Sequence, residues 1–355
     1  MSTTAAPTEA AVLQALRAVR DPDLHRDIVD LGFVQDLRIC AGSVAFKIEL
    51  TTPACPVKDL MKSQAEQAVR TLPGVADVKV EMTARVTASR PLLGDKGSIP
   101  GVKNVIAVSS GKGGVGKSTV AVNLACALQL TGARVGILDA DVYGPNVPLM
   151  LGVSGQPRAE GNRIVPFERH GLQIMSMALL VADDQPVIWR GPMLHSAMRQ
   201  FLFEVAWHDL DYLVVDLPPG TGDAQLSLSQ QAHLMGAVIV TTPQDVSVLD
   251  VKKAIRMFQT VNVPILGVVE NMAWFTPPGQ SERFHLFGQG GGAKIEREFG
   301  VPLLGQVPIE MAVREGGDGG MPIVLAAPQS MSARALADIA GKLAQRVSIL
   351  NLEAD

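Results

Sequence analysis

The chain has 355 residues, 47% of them hydrophobic and 19% charged, which suits a large α/β domain accompanied by a small one. A net charge of −4 and 4% aromatic residues leave neither a basic footprint nor a stacking platform, so no nucleic-acid partner is expected. No apolar run is long enough to cross a bilayer and no apolar leader core opens the chain; with Cys40, Cys55 and Cys126 too scattered for a disulfide framework, no membrane partner and a cytoplasmic location are the expectation.

Residues 8–88 predict a compact α+β domain. A helix over Ala10–Val19 should stop at Asp21-Pro22, because proline removes a donor and restricts its predecessor. Strands follow at Phe33–Cys40 and Ser43–Leu50 around an Ala41-Gly42 turn. Pro56 to Leu72 has helical spacing, with Val57, Leu60, Met61, Ala65, Ala68 and Val69 on one face. Pro73-Gly74 breaks that helix, and Val75–Met82 alternates as a last strand.

Residues 89–103 read as a linker punctuated by Arg90-Pro91, Gly94, Lys96-Gly97 and Pro100-Gly101. From 104 to 350 apolar strands alternate with helices. The strands are expected at Val105–Ser109, Arg134–Leu138, Tyr212–Asp216, Ala237–Thr242, Ile265–Asn271 and Leu303–Val307. Runs so rich in Val, Ile and Leu belong in a parallel sheet covered on both faces, so the fold class is a doubly wound α/β domain preceded by the small α+β one.

The chemistry begins where the first of these strands ends. Gly111, Lys112, Gly113, Gly114, Val115, Gly116, Lys117 and Ser118 form a phosphate-binding loop, and a helix from Lys117 to Leu130 follows at once. Such a loop turns backbone N–H groups onto phosphate oxygens, and the helix adds the positive end of its dipole. Lys117 should sit between the β- and γ-phosphates of ATP, the Ser118 hydroxyl should bind Mg²⁺, and Thr119 should bond the α-phosphate. The extra lysine, Lys112, is placed to reach a nucleotide on a facing subunit, like an arginine finger; the alternative is a solvated surface lysine. Asp216 ends an apolar strand and is expected to hold Mg²⁺ through water. Asp139 and Asp141 end another; one of them, with Asp141 preferred, is expected to orient or activate the attacking water, while Asp139 instead holds the switch region by hydrogen bonds or simply caps the strand end. Gly220-Thr-Gly-Asp223 reads as a loop that senses the γ-phosphate.

Taken together, Gly111–Thr119, Asp139-Ala-Asp141-Val-Tyr-Gly-Pro145, Arg190-Gly-Pro-Met193, Asp216-Leu-Pro-Pro-Gly-Thr-Gly-Asp223, Glu270-Asn-Met272, Phe287-Gly288 with Gly290–Gly292, and Gly317-Asp318-Gly-Gly-Met-Pro322 resemble the Mrp/ApbC family. These are P-loop ATPases of the deviant Walker A class, related to MinD and the nitrogenase iron protein and implicated in carrying iron–sulfur clusters. The resemblance covers residues 100–345. It implies a homodimer, slow Mg²⁺-dependent ATP hydrolysis with Lys112 acting across the dimer, and iron–sulfur apo-proteins and assembly factors as partners. It also implies that Asn271 meets the adenine edge and that the Val307–Glu310 turn, through Pro308, lies against the base. The first segment resembles the PaaD-like iron–sulfur assembly domain through Asp21-Pro-Asp23, Ile28-Val-Asp-Leu-Gly32 and Leu50-Thr-Thr-Pro-Ala-Cys55-Pro56. Cys55 precedes a helix whose dipole favours the thiolate, against the plainer reading of a half-buried residue at a helix start.

The chain departs from this family in one respect. Carriers in it have a Cys-x-x-Cys shortly after the Glu-Asn-Met stretch, and two subunits share a cluster through it. Here the stretch Asn271–Gln280 holds no cysteine, and Thr276–Gly279 supplies no thiolate. Cys126 reads as inert core, Cys40 has no partner at metal spacing, and His285 reads as a surface histidine. Three readings follow: a labile 4Fe–4S cluster held by Cys55 of two or more chains, an ATP-driven scaffold that binds no cluster, or another cargo on the same ATPase. A MinD- or ParA-like dimerisation switch is the alternative from a different class, although Ser332–Leu350, with only Lys342 and Arg346 late in the helix, is a weak membrane-targeting segment.

Overall fold

The computed structural model describes residues 7–353 apart from 23, 56, 90–96 and 181–190. Asp23 and Pro56 of the first segment's motifs, Arg90, Pro91, Gly94 and Lys96 of the expected linker, and Arg190 of the Arg190–Met193 motif lie outside the described residues. The chain divides into two compact units, one reaching Thr87 and including Ser348–Glu353, the other running from Ala88 to Val347.

The first unit contains α1 (Glu9–Leu16), β1 (Val34–Cys40), β2 (Ser43–Leu50), α2 (Lys58–Arg70) and β3 (Asp77–Ala84). Thr8 caps α1 by accepting from the Ala11 N–H at 3.2 Å. Strands β1 and β2 pair antiparallel through the Ala41-Gly42 turn, and β2 and β3 pair parallel with α2 as the crossover, in the order β1-β2-β3. The period of two in β2 buries Val44, Phe46, Ile48 and Leu50, which pack with Val12 and Leu16 of α1 and Met61, Ala65 and Val69 of α2. Two expectations need correction. Helix α1 ends at Leu16, and Val19 enters the core from a turn. Leu60 is 58% exposed, because the buried stripe of α2 runs through Met61, Ala65 and Val69 at four-residue spacing and leaves Leu60 outside it.

The second unit begins with β4 (Val102–Ser110), α3 (Lys117–Leu130), β5 (Val135–Asp139) and α4 (Val147–Leu151). A small hairpin, β6 (Ala159–Glu160) and β7 (Arg163–Ile164), leads to β8 (Phe167–Arg169), β9 (Leu172–Ser176) and α5 (Gly191–Phe203). Then come β10 (Leu210–Asp216), α6 (Asp223–Gln231), β11 (Gly236–Thr241), α7 (Asp245–Thr260), β12 (Ile265–Phe275), α8 (Gly291–Phe299) and β13 (Leu303–Ile309). The chain closes with α9 (Met311–Asp318), α10 (Ile323–Ala326) and α11 (Met331–Glu353). The sheet order is β13-β12-β11-β4-β10-β5-β9-β8, parallel from β13 to β9, with β8 antiparallel at the edge.

Strands β8 and β9 were not among the expected ones: they are short, and their pattern is too brief to read as a strand pair. The end of the expected linker is structured as well. Ile99 is 3% exposed in the core of this unit, and Gly101 accepts from Leu210 N–H at 2.7 Å. Central strands β4, β5, β10 and β11 are buried almost throughout, which is why they read as continuous apolar runs. Among the described residues no helix is long and apolar enough to cross a membrane. Phe46→Ala, which empties the centre of the first unit's core, should cost roughly 3–5 kcal/mol; the loss is read from denaturant unfolding of that unit.

Candidate nucleotide site

The phosphate loop leaves the C-terminal end of β4 and turns into α3. Gly116, with φ of +79°, occupies the N-cap position of α3, so the chain swings through a left-handed residue before the first helical turn. Gly111 sits where α7 crosses the loop: a Cβ there would lie 2.4 Å from the Asp250 backbone carbon. Val115 is buried, while Gly113 and Gly114 are exposed at the mouth of the loop.

Parallel register brings the acidic residues to this loop. Asp216 of β10 stands level with Val108 of β4 and Asp139 of β5, so both carboxylates emerge at the same end of the sheet. Lys117 Nζ donates to Asp216 Oδ1 at 2.7 Å, lies 3.4 Å from Asp141 Oδ2, and is 3.2 Å from Ser118 Oγ. Lys117 and Asp141 are 6% and 7% exposed, and Asp216 is wholly buried.

The two candidate acids at the end of β5 have different surroundings. Asp139 is tied down on all sides: it accepts from Asp141 N–H at 3.2 Å, Val147 N–H at 3.1 Å and Ser176 Oγ at 3.1 Å. Burial, reinforced by the charge of Asp216, lifts its carboxyl to about 7 in spite of those donors. Asp141 makes only long contacts with Tyr143 and Gly144 N–H, at 3.3 Å each, and turns its other oxygen to Lys117. Asp139 therefore anchors the segment that Asp141 presents to the loop. Burial raises Asp216 as well, against the pull of Lys117 and with Asp141 adding to the rise.

Asp216 Oδ2 is buried and accepts no hydrogen bond from a described residue. One carboxylate and one hydroxyl beside a polyphosphate are the hard oxygen donors Mg²⁺ takes, so Asp216 and Ser118 fit that ion. Lys112 Nζ lies 3.3 Å from Gln244 Oε1, at the N-cap of α7. Asn271 donates through Nδ2 to the Val115 carbonyl at 2.9 Å, a protein partner inside the loop itself. The Val307–Glu310 segment is not a turn: Val307, Pro308 and Ile309 continue β13 and only Glu310 leaves it, because the strand stays paired with β12 as far as Phe275. Pro308 is buried, and its carbonyl accepts from Ser332 Oγ at 3.2 Å.

Three residues escaped sequence reasoning. Ser176 holds Asp139, Gln244 meets Lys112, and the buried Gln225 donates to the carbonyls of Pro218 at 2.6 Å and Gly220 at 3.0 Å, stapling the loop after Asp216. Only Gln225 had a signal, its place two residues after the Gly-Thr-Gly-Asp stretch.

The thiols differ in their surroundings. Cys126 is wholly buried on α3, and burial pushes it up to about 12. Cys40 is exposed; Cys55 is half-buried against the first unit's core, its carbonyl accepting from Lys58 N–H at 3.3 Å as α2 begins. Residues 276–283 loop between Phe275 and Phe284, which exchange two backbone hydrogen bonds of 2.8 Å. His285 is exposed, and its Nδ1 is 3.0 Å from the Ala273 carbonyl. Among the described residues no group of three or more His, Cys, Asp or Glu is arranged to hold a metal.

Residues 101–344 match the family described as NUBPL iron-transfer P-loop NTPase, and residues 9–82 match the family described as iron-sulfur cluster assembly protein. The chain belongs to the iron-transfer P-loop NTPase family. It is 54% identical over 351 residues to the iron-sulfur cluster carrier protein of Synechocystis sp., covering 97% of this chain and 99% of the relative. It is 46% identical to the chloroplastic Fe-S cluster assembly factor HCF101 of Arabidopsis thaliana, covering 94% of this chain and 63% of the plant protein. A solved nucleotide-binding protein of Archaeoglobus fulgidus in complex with ADP superposes with a TM-score of 0.58 at 38% identity, over 66% of this chain and 91% of that one. The cell division ATPase MinD of Pyrococcus furiosus follows at 0.53 and 27%, over 68% and 98%. This family is one of nucleotide hydrolases, and the expected fold class is the observed one.

Two measurements probe the site as built. Folding holds the Asp139 proton more tightly than the unfolded chain does, so this group's contribution to stability is full below about pH 4 and is lost as the pH rises through about 7. Asp139→Asn should flatten that part of the decline in Tm of nucleotide-free protein between pH 5 and 8. In thiol-reagent titrations Cys126 should stay unmodified until denaturant unfolds the protein, while Cys40 reacts in the native state.

Proposed function

We propose that this chain binds and hydrolyses ATP to drive the assembly of iron–sulfur clusters and their delivery to apo-proteins. The observation that carries the reading is Lys117 at the root of the phosphate loop, buried against Asp216 and facing Asp141. In this reading the loop N–H groups and the start of α3 hold the phosphates. Lys117 exchanges its carboxylate partners for the β- and γ-phosphate oxygens. Ser118 and, through water, Asp216 would hold Mg²⁺, which would supply positive charge against the phosphates. Asp141, held by its neighbours' N–H groups and facing Lys117, orients the attacking water. Lys112, at the loop's mouth, completes the site of a facing subunit, and the working form is a homodimer.

The names of the relatives support a cluster cargo, and the distribution of thiols limits how it is held. In the sequence the ATPase unit has one cysteine, Cys126, and that thiol is sealed in the core. A labile 4Fe–4S cluster would therefore draw on Cys55 of two or more chains, completed by other ligands or a small thiol. The specific observation favouring the second reading, an ATP-driven scaffold without a cluster, is the thiol-free loop at Thr276–Gly279.

Lys112→Ala should retain ATP binding but lose about 10³-fold in turnover, the lower end of what a charge reaching across an interface supplies; turnover at the parental rate removes Lys112 from the chemistry. Anaerobic reconstitution with iron and sulfide decides the cargo question. Iron and sulfide that fall to background in Cys55→Ala support the carrier, whereas no bound iron in the parent leaves the scaffold.

A further inference from the structure

A nest of N–H groups that converges on an anion turns its carbonyls outward, and each buried carbonyl then needs a donor. One such carbonyl of the phosphate loop, that of Val115, is met from 156 positions further along the chain by Asn271 Nδ2 at 2.9 Å. Asn271 is 8% exposed, and its amide is wedged against the next residue of the loop: a Cβ on Gly116 would lie 2.2 Å from the same Nδ2. The backbone around Asn271 is shaped for this contact. Met272 has φ of +56°, rare for a residue with a side chain, and its Cε would be 3.6 Å from the same Gly116 Cβ. The β12–β13 register breaks between Asn271 and Phe275, so the strand bends at the loop. On the other side Glu270, 1% exposed, accepts from Gly292 N–H at 2.5 Å and from Gln306 Nε2 at 2.6 Å. The strand is thereby fixed one residue before Asn271.

We infer that Asn271 is a positioning residue for the phosphate loop: by holding the Val115 carbonyl outward and bearing on Gly116, it sets the direction of the converging N–H groups. It thus governs affinity for the triphosphate itself, whatever contact its amide also makes with the base. The inference rests on the nucleotide-site reading above and adds a role to a residue expected only to meet adenine.

A ligand without a base separates the two roles. Binding of Mg²⁺-tripolyphosphate and of Mg²⁺-ATP is measured by calorimetry for the full chain, for Asn271→Ala and for Asn271→Ser, each well below its own melting midpoint. Gly116→Ala disturbs the same contact from the loop side. Loss of one buried hydrogen bond predicts that tripolyphosphate and ATP affinity fall together by about tenfold in Asn271→Ala, and that Gly116→Ala weakens both. A merely structural role would lower the melting midpoint but leave the affinities of the folded protein unchanged. Tripolyphosphate bound as tightly by a folded Asn271 variant as by the parent, whether or not ATP is weakened, overturns the inference. A parent chain that binds neither ligand overturns the nucleotide site itself, and this role with it.

Discussion

The site depends on one buried cation. Lys117 is 6% exposed, and an unpaired ammonium at that depth would cost several kcal/mol. Asp216 at 2.7 Å and Asp141 at 3.4 Å offset that cost. The parallel register of β4, β10 and β5 puts the ends of β10 and β5 level with each other beside Val108 of β4, which is what brings both acidic segments to the loop. Burial, and after it the charge of Asp216, drives the carboxyl of Asp139 up, and the backbone N–H groups and Ser176 that it accepts from offset only part of that rise. Phosphate and Mg²⁺ are ligands that such a pocket is suited to, because they supply opposite charges in the same small volume.

Much of this was legible in the sequence because it is local. The phosphate loop and the full span of α3 follow from glycine spacing and a helix that is apolar nearly all round. Asp139 and Asp216 stand out as acids closing apolar runs. What could not be read is contact between distant segments. Nothing near Asn271 indicates that its amide meets Val115, and nothing near Ser176 indicates that it supports Asp139. Leu60 shows the limit of periodicity: an apolar residue beside a stripe fits helical spacing nearly as well as one within it. Ile99 falls in the expected linker because Pro100-Gly101 is a strong breaker signal, yet Gly101 is used for a tight approach to Trp207 at the start of the domain.

The thiols show the same division between composition and placement. The sequence places one cysteine in the ATPase unit; the structure adds that this thiol is unreachable and unready to ionise. Family membership and residue inventory thus point in different directions at Thr276–Gly279.

The reciprocal hydrogen bonds between Phe275 and Phe284 bear on how such a protein can diversify. They clamp both ends of residues 276–283 to each other, so the segment is a closed excursion from the end of β12. Its composition can drift, lose thiols or gain them, without transmitting a change of length or direction to Asn271 and the loop it touches. Changes of composition there leave the ends of the segment where the Phe275–Phe284 hydrogen bonds hold them, and with those ends the strand that carries Asn271.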